Sequence, residues 1–160
     1  MKAGTCYSIV DSPVGKLLLA GSPAGLGEIR FLEGRPRDRG ADPAWVRSDQ
    51  AMRQAAGQLA EYFAGMRRRF DLRIAPRGTP FQLRVWHALA GIPYGDTESY
   101  GALARRIGSK GAARAVGAAN GQNPIPIVLP CHRVIGADGS LTGYGGGLDI
   151  KRVLLALEAH

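Results

Sequence analysis

The chain has 160 residues, of which 45% are hydrophobic, and carries 21 Lys and Arg against 13 Asp and Glu, a net charge of +8. That composition suits a packed core in one ordinary domain or two small ones and excludes a disordered chain. No stretch nears the ~20 apolar residues of a membrane span. The N-terminal MKAGTCYSIVDSPVGK has no apolar core of a signal peptide, so the expectation is a cytoplasmic protein with no membrane partner. A pI of about 10.1 favours a polyanionic partner, nucleic acid first.

In chain order, YSIV, KLLLAG and LGEIRFL are apolar runs separated by turn signals at DSPVG (11–15) and SPAG, which predicts an antiparallel meander. Residues 33–43, EGRPRDRGADP, read as a surface loop. Between Asp49 and Gly65 the apolar residues Met52, Ala55, Ala56, Leu59, Tyr62 and Phe63 follow a helical period. FDLRI (70–74) is placed as a returning strand, and PRGTP (76–80) as a boundary between a domain at 1–76 and another at 77–160.

The second half opens with a helix start. Thr79 is the N-cap, Pro80 the first helical residue and Gln82 the far side of a capping box, with Phe81, Val85, Ala88 and Leu89 on one face. Ser99 caps a further helix along Tyr100, Leu103 and Ile107, which Gly108 ends. After a turn through 109–111 comes AARAVGAANG (112–121), so that helix, tight turn and helix form a helix-turn-helix. No acidic residue lies between Glu98 and Asp138, whereas Arg105, Arg106, Lys110, Arg114 and Arg133 do. The second of these helices consists mostly of Ala and Gly, with Arg114 its one long polar side chain. It is either a tightly packed core helix with Arg114 in solvent or a helix made to approach another surface closely. Asn123-Pro124 ends it, IPIVLP (125–130) is expected to be buried and extended, and Asp138-Gly139 to turn a hairpin between VIG and LTGY. A terminal helix follows GGG (145–147), with Ile150, Val153, Leu154 and Leu157 on one face and Glu158 pointing partly inward.

The chemistry concentrates at PCHRV (130–134). The chain has two cysteines, Cys6 and Cys131, and three histidines, His87, His132 and His160, with no CxxC or HExxH. A structural zinc site has little support in that inventory. Cys131 is therefore a small core hydrophobe or a nucleophile. For the second role, His132 and Arg133 would supply a positive field and Glu158 would orient the histidine. Adjacent residues of a regular strand face opposite ways, so any Cys131–His132 coupling requires irregular backbone or a bridging water.

NPIPIVLPCHRVIGADGSLTGYGGGLDIKRVLLALE (123–158), with GTPFQLRVWHALAGIPYGDTESYGALARRIG (78–108) and AARAVGAANGQNP (112–124) before it, resembles the O6-alkylguanine-DNA alkyltransferases, also called methylated-DNA–protein-cysteine methyltransferases. The likeness covers essentially all of 78–158 without a gap, while the first 75 or so residues match in arrangement more than in motif. It implies an α+β protein: a small N-terminal α/β domain with an antiparallel, ribonuclease H-like sheet, then a mostly helical winged helix-turn-helix domain. It also implies a single-turnover, irreversible transfer of an alkyl group from O6 of guanine in duplex DNA to Cys131 after base flipping. O4-alkylthymine is a second substrate that the resemblance leaves open. On this resemblance His132 and Glu158 are the water-linked pair that activates Cys131, and Asn123 organises the turn behind it. Tyr100 hydrogen-bonds the flipped base near N3, and Arg114 fills the gap in the duplex. The base pocket is Val134, Tyr144, Gly145 and Gly146. The resemblance further implies that the helix-turn-helix enters the minor groove, with the small residues Ala113 and Gly117 allowing close approach, and that the protein acts without a cofactor as a monomer, cooperative binding along DNA being left open. Phosphate contacts from Arg105, Arg106 and Lys110 are expected from charge position alone. Two rivals stand beside this reading: a non-catalytic DNA-binding module with Cys131 as packing, and a cysteine hydrolase that turns over.

Overall fold

Leu17–Ser22 is the most apolar of the early runs, and it becomes the most buried strand of the chain's first sheet. In the computed structural model, which describes residues 4–33 and 40–159, this strand (β2) lies between β1 (Cys6–Val10) and β3 (Gly25–Phe31). Both neighbours pair with it antiparallel, as the meander requires. A short β4 (Val46–Arg47) joins β1 in parallel, giving the order β3-β2-β1-β4. The predicted loop at 33–43 falls in large part outside the described residues.

The chain divides into two compact units, Met1–Pro76 and Arg77–His160. In the first, α1 (Arg53–Phe63) buries Ala55, Leu59 and Tyr62 at helical spacing. It starts later than the periodicity suggested, with no side-chain cap at Met52. The expected strand at 70–74 is absent. The Asp71 N–H donates to Gln58 Oε1 (2.8 Å), and the Asp71 carbonyl accepts from the Gln54 and Gln58 amides (3.2 and 3.0 Å). With those groups engaged by α1, only Arg73 O and Ala75 N bond the backbone of Leu26. A single bridge at Ile74 results, not a ladder.

The second unit follows its caps. α2 (Pro80–Leu89) begins with both bonds of the capping box, Gln82 N–H to Thr79 Oγ1 (3.1 Å) and Thr79 N–H to Gln82 Oε1 (2.9 Å). Its buried face is Val85, Trp86 and Leu89; Phe81 and Ala88 are only partly covered. The Trp86 indole N–H donates to Ala119 O (2.7 Å), tying α2 to α4 (Ala113–Gly121). α3 (Tyr100–Arg106) is capped by Ser99, whose Oγ accepts from Ala102 N–H (3.1 Å). It ends at Gly108, whose φ of +77° is open to glycine and strained for other residues.

Two predicted shapes give way near the C-terminus. Residues 125–130 are buried as expected but not extended: Leu129 N–H bonds Ile125 O (2.9 Å), and Ile127 sits at φ +74°. The cause is Asn123, whose Oδ1 accepts from Ile125 N–H (3.0 Å) and whose Nδ2–H donates to Leu129 O (2.7 Å), closing the run into a turn. The hairpin across Asp138-Gly139 is also absent as a strand pair. The turn itself forms, with Gly139 N–H to Gly136 O (2.9 Å). The short β6 (Val134–Ile135), however, pairs in parallel with β5 (Glu98–Ser99) in place of 141–144. α5 (Leu148–Glu158) buries Ile150, Lys151, Leu154 and Glu158 and leaves Val153 exposed. Among the described residues, no helix is long and apolar enough to cross a membrane.

The capping box gives the first expected outcome. Thr79→Ala should destabilise the protein by about 1 kcal/mol in chemical denaturation; a loss below a few tenths would mean that Pro80 and packing alone hold the start of α2.

Candidate active site

Cys131, His132 and Arg133 form a single 3₁₀ turn between the Asn123-closed segment and β6. All three side chains are buried. This is the irregular backbone that a coupled Cys–His pair needs, because a tight turn frees neighbouring side chains from strict alternation. His132 turns back to α5, where its Nε2 lies 2.7 Å from Glu158 Oε2. Glu158, predicted to point partly inward, is 4% exposed.

The carboxylate holds a second partner. Arg133 Nε–H donates to Glu158 Oε1 (2.7 Å) and Nη2–H to Oε2 (3.0 Å), a two-point grip. Its Nη1–H reaches Ile92 O (2.6 Å), and the guanidinium lies over the Tyr94 ring. Arg133, counted in the basic stretch and expected to lend positive field to Cys131, is the buried counter-charge of Glu158. Nothing in the one-dimensional pattern marks this, since Glu158 is 25 residues away.

The electrostatics divide the roles. Burial pushes the His132 imidazole below its ordinary value of 6.5, against the pull of Glu158. A neutral ring beside a carboxylate donates Nε2–H to it, which leaves Nδ1 with its lone pair. Nδ1 is buried and without a hydrogen-bond partner among the described residues. Burial likewise pushes the Cys131 thiol up, and hydrogen bonds from Asn123 and Tyr144 and the charge of Lys151 oppose it. Burial thus favours the thiol over a preformed thiolate at Cys131 and the neutral ring at His132.

Lys151 was not anticipated, although its spacing with Leu154 and Glu158 puts it on the buried face of α5. It is fully buried, and its ammonium donates to Val134 O (2.7 Å) and Thr142 O (2.9 Å). It thereby fastens the 136–147 loop, including half-buried Tyr144 and Gly145 and buried Gly146, to the strand that follows the Cys131 turn. Tyr100, at the start of α3, accepts a hydrogen bond at its hydroxyl from Thr142 Oγ1 (3.0 Å). Asn120, also unanticipated, donates from α4 to Cys131 O (3.3 Å).

The residues expected at a nucleic-acid surface spread more widely. Arg105, Lys110 and Arg114 are exposed, as is Arg106. Arg106 is engaged within the protein, by Glu98 (2.8 Å) and Ala88 O (2.8 Å). Ala113 and Gly117 share a face of α4, and Gly117 packs under the Tyr100 ring. Among the described residues no cluster of His, Cys, Asp and Glu could hold a metal ion.

A buried cysteine in one turn with a histidine that bonds a buried glutamate, inside a unit that carries a helix-turn-helix, in a chain whose other unit is built on a sheet, defines the class of protein. The comparisons make the class specific. The model of the 6-O-methylguanine DNA methyltransferase ribonuclease-like domain matches residues 5–76, and that of the same family's DNA binding domain matches 80–160. The chain is 52% identical over 152 residues to the methylated-DNA–protein-cysteine methyltransferase of Methanosarcina acetivorans, covering 95% of this chain and 97% of that protein. It is 54% identical over 155 residues to the Mycolicibacterium paratuberculosis protein of the same name, covering 95% and 91%. A crystal structure of Mycobacterium tuberculosis OGT in complex with DNA superposes with a TM-score of 0.89 at 52% identity, covering 96% of this chain and 92% of that one. The chain belongs to the 6-O-methylguanine DNA methyltransferase family.

The ion pair sets a stability prediction. Glu158→Gln leaves Arg133 buried without its counter-charge and should cost about 3–5 kcal/mol. Replacing Arg133 and Glu158 together by Leu should cost less than the sum of the single changes. Additive losses in denaturant titrations would mean the two do not act as a pair.

Proposed function

We propose that this chain repairs alkylated DNA by direct reversal, moving an alkyl group from O6 of an extruded guanine onto Cys131 in a single irreversible turnover. The observation that carries the reading is a buried His132 imidazole anchored on Glu158 in the same turn as a buried Cys131, in a chain whose two units both match this family.

The chemistry follows from the charges. The thiol proton passes to His132 Nδ1, directly or through a water, as sulfur attacks the alkyl carbon in line. The S–C bond forms, the C–O6 bond breaks, and the electron pair leaves with guanine. Glu158 stabilises the imidazolium as it develops. Tyr100 donates to N3 of the departing base, and Gly145 N–H lies near O6, so donors face the atoms that gain charge. Val134, Tyr144 and Gly146 form the rest of the pocket. Lys151 holds this loop in place and adds a positive charge near the sulfur.

The partner is duplex DNA, approached by α4 through the minor groove. Its Ala and Gly face permits close contact, and Arg114 enters the stack where the base has left. Arg105 and Lys110 contribute phosphate contacts without sequence preference. Arg106 does so only by releasing Glu98. Cys131, His132, Glu158 and Tyr100 all come from one unit, so the reading requires only a monomer and no cofactor.

Incubation with duplex containing O6-methylguanine, followed by digestion and mass measurement, should find one methyl group on the Cys131 peptide and never more than one equivalent per chain. Unmodified peptide with intact lesion would favour a non-catalytic DNA-binding module, and multiple turnovers a hydrolase. Cys131→Ala should bind the duplex and transfer nothing. The pH dependence has a defined sign. Because burial holds His132 below 6.5, the ring stays neutral and able to accept a proton at pH 6.5. The transfer rate is therefore retained there and lost only as the pH falls through the depressed value; half the rate lost above pH 6.5 would contradict a neutral His132 base.

A further inference from the structure

We infer that Thr142 is a positioning residue that aims the Tyr100 hydroxyl proton at N3 of the extruded base. This rests on the alkyl-acceptor reading above, in which Tyr100 donates to N3. Thr142 Oγ1–H donates to the Tyr100 hydroxyl oxygen (3.0 Å), joining residues 42 positions apart. A phenolic hydroxyl has one proton to give. Conjugation holds that proton near the ring plane, on one side of the oxygen or the other. A donor on one side leaves the proton only the other. With the bond reversed, Tyr100 would give its proton to Thr142 and turn a lone pair to N3, acceptor facing acceptor.

Contacts elsewhere hold both partners. Tyr100 opens α3, whose start Ser99 caps. Its ring lies against Gly117 of α4, 3.6 Å from a Cβ placed on that glycine, which limits the swing of the ring. Thr142 is held through its backbone. Its carbonyl accepts from the Lys151 ammonium (2.9 Å), which also donates to Val134 O (2.7 Å) on the strand after the Cys131 turn. The hydroxyl pair thus joins two elements that are each positioned independently, α3 and the 136–147 loop.

The pair also acts on the departing base. As the C–O6 bond breaks, its electron pair is shared into the purine ring and N3 becomes a stronger acceptor. Tyr100 then shares its proton more fully with N3, and its oxygen gains negative character. The Thr142 proton faces that oxygen, so two hydrogen bonds in series reinforce each other. The gain comes only as the base leaves, so it raises the rate of transfer and not the affinity for DNA. Thr142 itself is exposed in the free chain, so removing its hydroxyl should cost the fold little.

The test uses the whole protein, saturating duplex and the single-turnover rate of Cys131 methylation. Two duplexes differ only in the lesion: O6-methylguanine, or its 3-deaza analogue, in which C–H replaces N3. Thr142→Val keeps the shape and removes the hydroxyl. It should slow transfer from O6-methylguanine roughly 10-fold, and Thr142→Ser should keep most of the wild-type rate. From the 3-deaza lesion, wild type and Thr142→Val should react equally fast. On O6-methylguanine, adding Thr142→Val to Tyr100→Phe should cost nothing more, because Thr142 acts only through that hydroxyl. Equal slowing on both lesions, or a further loss in the Tyr100→Phe background, would overturn the inference, since a residue that merely ties α3 to the loop acts on every substrate alike. A wild-type rate for Thr142→Val on O6-methylguanine would overturn it too. Should the Val variant not fold, Thr142→Ala carries the same comparisons. No methyl on Cys131 of the wild type from O6-methylguanine would instead defeat the alkyl-acceptor reading, and this inference with it.

Discussion

The second unit depends on one buried carboxylate. Glu158 sits at the last turn of α5, is nearly inaccessible to water, and would be prohibitively costly there alone. Two cationic or polar neighbours from the same short turn satisfy it: Arg133 by two hydrogen bonds and His132 by one. That requirement brings the terminal helix against the acceptor turn and fixes the direction of the imidazole. It also sets protonation. Arg133 supplies the full positive charge, so His132 is not needed as the counter-ion and remains neutral under the weight of its own burial. A ring protonated to neutralise Glu158 would have no lone pair for a thiol proton. The arginine counted in the basic stretch is thus what spares the histidine from serving as the counter-ion.

Around this pair, backbone groups are held by side chains more than by regular structure. Asn123 closes the 125–129 turn, Lys151 joins Val134 to Thr142, and Asn120 holds the carbonyl of Cys131. A loop-built site gains rigidity this way, since each bond is buried and therefore costly to break. Ile127, held at φ +74° with its side chain buried, shows how tightly the segment is determined: a β-branched residue adopts that conformation only when its surroundings insist. Lys151 adds an ammonium with two carbonyl partners beside a thiol that must pass through a more negative state during attack.

The local signals in the chain were legible where a few neighbouring residues suffice to decide. The meander follows from apolar runs between turn residues. The starts of α2 and α3 follow from Thr79-Pro80 with Gln82 and from Ser99, and the end of α3 from Gly108. Glu158 was readable as inward because helical spacing relates it to Leu154 and Ile150, and the same rule would have found Lys151. FDLRI failed as a strand, and LTGY as half of a hairpin, because strand formation depends on which partner is within reach. Gln54 and Gln58 occupy the backbone of one, and β5 takes the partner of the other.

What the sequence by itself determined is therefore the set of parts: two units, a helix-turn-helix rich in small residues and positive charge, a Cys-His-Arg turn after an apolar run, and a carboxylate at helical phase with a buried face. Period, caps and turn chemistry act over a handful of residues, so they can be read along the chain. Only the tertiary structure decided which charges meet. Arg133 and Glu158 are 25 positions apart, Asn120 and Cys131 are 11, and Lys151 and Val134 are 17. Each of these pairings exists because burial removes water as an alternative partner, a condition set by packing across the whole unit and by no local stretch of it.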